Sequence, residues 1–326
     1  MGVAMIADEK PATGSTAGEV VSRDGTRLAT RHWRSTAPAT AWAGVLIVHG
    51  LGEHSGRYEH VGARLAAAGL DVHAVDLRGF GRSAGRRAYV ARWAQLHDDV
   101  EAALGVVRAA TEGKPVALYG HSLGGLVALG YVLTDRPRPD LLVLSGPALD
   151  VNVPAPKRLA AQLLSRVAPT LQIRNGFDGA VLSRDPAVGV AYLADELNCH
   201  ATTARFGAEA LGEQSRVRSA LDRLTVPTLV VHGADDRLVP PAASERLRGR
   251  PGVTRTVYPG LRHEVHNEPE WASVVDDIVG WLRQNARGEH TARRGQNARR
   301  APKAVAAAGG RLAGQPNTAS GERSTR

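Results

Sequence analysis

A single cysteine, Cys199, occurs in 326 residues. That excludes an internal disulfide framework and fits a reducing compartment. Aromatic side chains are scarce at 4%, so Leu, Val and Ala must fill any core, and a hydrophobic content of 43% allows it. No uninterrupted apolar run reaches membrane-spanning length. The first twenty residues carry Asp8, Glu9 and Lys10 where a secretory signal needs an apolar core. These absences point to a soluble, cytoplasmic protein, with loose attachment to a membrane surface left open. Metal and cofactor patterns are missing too. His263-Glu264-Val265-His266 lacks H-E-x-x-H spacing, and no cysteine cluster stands beside it. Gly79-Phe80-Gly81 has Ala84 at the third glycine position and no helix onset after it, which makes a poor dinucleotide fingerprint. No metal and no cofactor are expected.

The net charge of +9 invites a nucleic-acid reading, but its location argues against one. Nine Lys/Arg and two acids between residues 287 and 326 carry +7 of it, leaving +2 for everything before. The basicity belongs to a tail rich in Gly, Ala, Asn and Ser, expected to be disordered, and no nucleic-acid partner is expected.

What is present centres on Val116-Ala117-Leu118-Tyr119-Gly120-His121-Ser122-Leu123-Gly124-Gly125. A short apolar run reads as a buried strand, G-x-S-x-G follows, and an apolar helical run comes next. Strand, sharp turn and helix make this motif a nucleophile elbow, with Ser122 held in a strained conformation above a sheet. Gly120 and Gly124 are the small residues that keep the incoming strand clear of the outgoing helix.

Around the elbow, strands and helices alternate. The pattern gives a hairpin over Glu19–Trp33, strands at Val45–His49, Val72–Val75 and Asp140–Leu144, and helices over Tyr58–Ala68 and Ala91–Ala110. Such alternation means a mainly parallel sheet covered by helices on both faces. From 150 to 222 the prolines Pro154, Pro156 and Pro169 interrupt a helical stretch in which Leu159, Leu163, Leu164 and Val167 form one stripe, and no strand is visible. It reads as a helical cap over the strand ends, the alternative being helices that only pack on the body. The sheet resumes at Pro227–Val231 and Val253–Tyr258, and Trp271–Asn285 is an amphipathic closing helix. The organisation is therefore a flexible N-terminus (1–17), a core in two parts (18–149 and 223–286), a cap (150–222) and the basic tail (287–326).

A serine hydroxyl near neutral pH needs a base to take its proton, and the base needs an acid to fix its tautomer. In this architecture the order is Ser, then Asp or Glu, then His. The chain supplies Ser122, an aspartate in His232-Gly233-Ala234-Asp235-Asp236, and His263, each just past a strand. Asp236 is the chosen acid, with Asp235 its alternative. His263 is the chosen base because it lies nearer the strand end than His266. The glycine-rich run after Val45–His49 offers the backbone N–H of Leu51 as one oxyanion donor, paired with that of Leu123 behind the nucleophile.

The run HGLGEHSGRYEHVGARLAAAGLDVHAVDLRGFGRSAGRR, with GHSLGG, HGADDRLVP and the His263–Glu268 stretch, resembles the monoacylglycerol lipase/lysophospholipase group of α/β-hydrolases. The likeness covers about residues 18 to 286, is weaker through the insertion and is absent from the tail. It implies the α/β-hydrolase fold and hydrolysis of an ester linking one fatty acyl chain to glycerol, with a monoacylglycerol or similar single-chain lipid as partner. By similarity, Glu53, Arg57 and His266 line the polar pocket for the glycerol hydroxyls. The same likeness makes 150–222 an amphipathic cap that meets lipid, touching a membrane surface transiently. A lysophospholipase or broad carboxylesterase is the runner-up, and a catalytically silent binding protein on the same fold is the reading from another class. Oligomeric state is not legible.

Overall fold

The computed structural model describes residues 14–37, 40–150, 155–176 and 178–300. The chain opens with β1 (Thr16–Val21) and β2 (Arg27–Trp33), an antiparallel hairpin around Asp24-Gly25. Then come β3 (Ala43–Val48), α1 (Glu59–Ala67), β4 (Leu70–Val75), α2 (Ala94–Thr111), β5 (Val116–His121), α3 (Leu123–Val132) and β6 (Leu141–Ser145). An insertion follows, with α4 (Ala155–Val167), β7 (Gln172–Arg174), α5 (Pro186–Ala194), β8 (Ala201–Thr203) and α6 (Ala204–Ala220). The closing part holds β9 (Thr228–Gly233), α7 (Ala242–Glu245), β10 (Val253–Tyr258) and α8 (Trp271–Arg300).

Eight strands form one sheet in the order β1-β2-β4-β3-β5-β6-β9-β10. From β4 to β10 all neighbours are parallel, and only the hairpin strands are antiparallel. This is the mainly parallel α/β-hydrolase architecture read from the sequence. The central strands alternate between two apolar layers. Leu46 and Val48 of β3 join the core under α2, α3 and α6, while Val45 and Ile47 join the core under α1 and α8. Both faces of β3 are thus buried, which is why it reads as an unbroken apolar run. Each fully buried Leu, Val or Ile there contributes about 1.5–3 kcal/mol of transfer free energy.

Strand order reverses around β3: β4 lies to one side of it and β5 to the other. In a parallel sheet that reversal opens a crevice beyond the carboxyl ends of the two diverging strands. The Gly50-Leu51 loop leaves β3 there, and Ser122 leaves β5 there.

Two expectations need correction or limits, and one point left open by the sequence is filled in. First, the insertion is not purely helical, because β7 and β8 pair antiparallel within it. Three-residue strands are too short to show a period in sequence. Second, the sequence left open which way the α4 stripe faces, and Leu159, Leu163 and Val167 face outward with exposures of 68%, 60% and 71%. Third, α8 runs to Arg300, so residues 287–300 of the supposed disordered tail are helical, as their Ala, Arg, Glu and Gln content permits. Residues 291–300 belong to a second compact unit beginning at Thr291. Residues 1–13 of the supposed flexible N-terminus and 301–326 of the tail lie outside the described residues. No helix among the described residues is long and apolar enough to cross a membrane.

Candidate active site

Ser122 sits between β5 and α3 with φ 51 and ψ −113, a region that non-glycine residues avoid. Such strain persists only where surrounding structure overdetermines it. Here the Ser122 N–H donates to Ser145 O at 2.9 Å, and its carbonyl accepts from Ala148 N at 3.0 Å and Leu126 N at 3.1 Å. The flanking glycines are needed sterically. A Cβ on Gly120 would strike the Gly124 carbonyl oxygen, and one on Gly124 would strike the Val48 carbonyl oxygen. Strand and helix cross too closely for any side chain at either position.

Ser122, His263, Leu51 and Leu123 line one cavity of about 330 Å³. Gly50, Glu53, Arg57, His121 and Glu264 line it as well, while Ala161, Leu182, Tyr192, Ala210, Leu211 and Gln214 of the insertion form much of the rest. Leu123 is the first residue of α3, and no side chain caps its N-terminus, so its amide is a first-turn donor without an intrahelical partner. The loop bearing Leu51 is pinned on both sides. The Gly50 N–H donates to Glu53 Oε1 at 2.5 Å, and Gly52 O accepts from Cys199 N of the insertion at 2.9 Å. Behind the loop, His49 Nδ1 donates to Gly50 O at 2.7 Å and Nε2 accepts from Leu77 N at 2.9 Å. One neutral tautomer satisfies both bonds, and burial lowers the pKa of that ring.

His263 Nδ1 bonds Asp236 Oδ2 at 2.7 Å. The other oxygen, Asp236 Oδ1, accepts from Leu238 N at 2.9 Å and Val239 N at 2.8 Å. Asp236 is buried and Asp235 exposed, and it is Asp236 that meets His263. Burial pushes the Asp236 carboxyl up, but the His263 charge, His232 and His263 hydrogen bonds and the Val239 amide hold it well below the usual carboxylate range. Burial also works against a charged His263, yet the Asp236 charge and hydrogen bond outweigh it and raise the ring's pKa. With Nδ1 committed to Asp236, Nε2 is the nitrogen left for chemistry.

At the polar end of the cavity Arg57 bridges two carboxylates. Its Nη1 lies 2.5 Å from Glu53 Oε2 and 2.6 Å from Glu264 Oε1, and Nη2 lies 2.7 Å from Glu264 Oε2. Tyr58 Oη donates to Glu53 Oε1 at 2.8 Å, and the guanidinium sits 5.1 Å from the ring centre of Tyr192. Burial disfavours both charges, but the pairing wins: the Arg57 pKa is raised and that of Glu264 is lowered. Glu264 went unweighed in the sequence although it follows His263 directly, and Tyr192 gave no signal at all.

His266 is a correction. It does not line this cavity; it lies fully buried behind it, stacked on Tyr58 at 4.9 Å and edge-on to His121 at 4.6 Å. Neither ring nitrogen has a partner among the described residues. The resemblance that placed His266 in the pocket says nothing of which way its side chain turns in this chain.

A family model described as serine aminopeptidase, S33, matches residues 39–270. A monoacylglycerol lipase of Mycolicibacterium smegmatis is 39% identical over 246 residues, covering 73% of this chain and 87% of that protein. The human monoglyceride lipase is 35% identical, covering 84% and 92%. The chain belongs to the monoacylglycerol lipase group of α/β-hydrolases. Among solved structures, the monoacylglycerol lipase of Paleococcus ferrophilus superposes with a TM-score of 0.71 at 30% identity, covering 79% of this chain and 99% of that one. As a member of this group the protein is a carboxylic ester hydrolase.

Proposed function

We propose that the protein hydrolyses monoacylglycerols to glycerol and a fatty acid through an acyl-enzyme. The observation that carries this reading is one cavity, apolar over most of its wall, in which Ser122 and His263 stand next to a paired, polar end. His263 Nε2 takes the Ser122 proton as Oγ attacks the ester carbonyl carbon. The Leu51 and Leu123 amides receive the oxyanion, each donor being worth about 3 kcal/mol at the transition state. Collapse breaks the bond to glycerol, whose oxygen leaves with the proton from His263. Water then attacks the acyl group, gives its proton to His263, and the fatty acid departs from a regenerated Ser122. Asp236 stabilises the imidazolium throughout.

Headgroup choice follows from charge. Glu53, Arg57 and Glu264 sum to a net negative cluster, so a phosphate placed there would be repelled, whereas neutral hydroxyls find donors and acceptors. That favours glycerol esters over lysophospholipids. The insertion supplies the lipid-facing part of the proposal. Leu159, Leu163, Val167, Leu171, Ile173, Val190 and Leu193 are all exposed on it, a concentration that fits transient contact with a membrane or micelle surface.

Hydrolysis rates for a monoacylglycerol, lysophosphatidylcholine and a short nitrophenyl ester test the substrate reading. The monoacylglycerol should lead, and preference for lysophosphatidylcholine would overturn the headgroup argument. A fluorophosphonate should label Ser122. Absence of labelling with an intact fold would revive the silent binding protein.

A further inference from the structure

We propose that His32, Asp71 and His73 form a binding site for a divalent transition metal ion such as Zn²⁺, remote from the ester-cleaving site. His32 of β2 and His73 of β4 are direct cross-strand partners in an antiparallel pair. Asp71 lies two residues before His73, so all three side chains project from one face of the sheet. Their polar atoms converge. His32 Nε2 lies 2.9 Å and His73 Nε2 2.8 Å from the same oxygen, Asp71 Oδ1. The two imidazoles stack with centres 4.1 Å apart and planes 10° from parallel, so they present their nitrogens side by side. One ligand atom from each residue falls within 4.8 Å of the others.

Ligand atoms held around zinc at about 2.0–2.2 Å stand roughly 3.3–3.5 Å apart in a tetrahedron. The trio therefore needs only small side-chain rotations, opening the two His–Asp contacts and closing the gap between the rings. To ligate, each ring must hold its proton on Nδ1 and release the Nε2 lone pair, a tautomer change that water supplies. Two imidazoles and one carboxylate select borderline cations over Ca²⁺ or Mg²⁺, which prefer oxygen alone. Side-chain exposures of 23%, 17% and 10% leave an entry route and room for water at the remaining coordination position. Rigid neighbouring strands hold the ligands, so little order has to be created on binding.

Asp71 lies near the start of β4, at the end of the sheet away from the strand termini that carry Ser122, Asp236 and His263. A metal there would tie the N-terminal hairpin to the parallel strands without touching the ester. Its role would be structural.

The test uses the full chain, stripped with a chelator and titrated with CoCl₂ and ZnCl₂. One equivalent of Co²⁺ should produce the visible absorption of a tetrahedral centre, displaced by Zn²⁺, and saturating Zn²⁺ should raise the melting temperature. His32→Ala and His73→Ala should each weaken binding at least tenfold and remove the band, with turnover on a soluble ester kept. Asp71→Asn, which preserves shape, should also weaken it tenfold and decides the matter if a histidine variant unfolds. His200→Ala, outside the trio, should bind as the parent does. Absence of saturable binding below millimolar metal, or unchanged affinity in Asp71→Asn, would overturn the proposal, as would loss of the band in His200→Ala.

Discussion

Replacing Asp236 by Asn is the sharpest probe of the arrangement, because the structure dictates what the amide must do. Leu238 and Val239 donate their N–H groups to Oδ1, which fixes the amide oxygen at that position. The amide nitrogen is then forced into the place of Oδ2, 2.7 Å from His263 Nδ1. It is a donor facing a donor, so His263 must move its proton to Nε2 and present Ser122 with a hydrogen instead of a lone pair. The same nitrogen also meets His232 Nε2, which stands 3.2 Å from Oδ2 and donates to Val239 O. Loss of the correct tautomer in such triads costs about 10⁴ in kcat, or about 5.4 kcal/mol of barrier. The fold should lose only the 1–3 kcal/mol typical of an unsatisfied buried donor. Steady-state rates on a soluble nitrophenyl ester measure the first effect, and a urea melt the second. Asp235→Asn, at an exposed position, should change neither. If the two substitutions slow turnover equally, or Asp236→Asn keeps more than a tenth of the parent rate, the tautomer argument fails.

The raised His263 pKa sets a pH limit. Only the unprotonated ring accepts the Ser122 proton, so activity falls as pH drops through that pKa, and the acid limb of kcat/KM should have its midpoint above 6.5; a midpoint below 6.5 would contradict the pairing with Asp236. Gly124→Ala and Gly105→Ala should move stability in opposite directions. Both gain about 1 kcal/mol of helix propensity, but the Gly124 Cβ meets backbone oxygens of Val48 and His49 while the Gly105 Cβ meets nothing within 4 Å. Thermal melts should show Gly105→Ala stabilised and Gly124→Ala destabilised with its activity lost. Replacing Leu159, Leu163 and Val167 together by Ser should lower hydrolysis of vesicle-borne monoacylglycerol several-fold and leave a soluble ester unaffected. Equal loss on both substrates would place those side chains in packing, not at a lipid surface.

Legibility from sequence tracked how local each signal was. The elbow announced itself because one short segment contains the strand, the strained turn and both required glycines. The two-sided burial of β3 was legible because it leaves no polar alternation. Asp236 and Asp235 share a sequence environment, and only the fold reveals that Leu238 and Val239 wrap one carboxylate and leave the other in water. His266 misled for the same reason in reverse, since its ring is claimed by Tyr58 and His121 from distant segments. The Arg57–Glu264 pair joins residues far apart in the chain, with no repeat or spacing to advertise it. In the insertion the apolar stripe of α4 was visible, but its direction was not, since an amphipathic period is the same whether its greasy side faces protein or lipid.

The guanidinium of Arg57 fastens together three segments that evolution could otherwise vary separately: the loop after β3, the loop after β10 and, through Tyr192, the insertion. Removing Arg57 alone would leave Glu53 and Glu264 buried without their shared cation. On the proposed reading of this cluster as the headgroup end, a change of headgroup preference calls for concerted replacement rather than single substitutions. Ala161, Leu182, Ala210 and Leu211 on the apolar wall carry no such obligation. If the acyl chain lies along that wall as proposed, its length tolerance answers to single substitutions there.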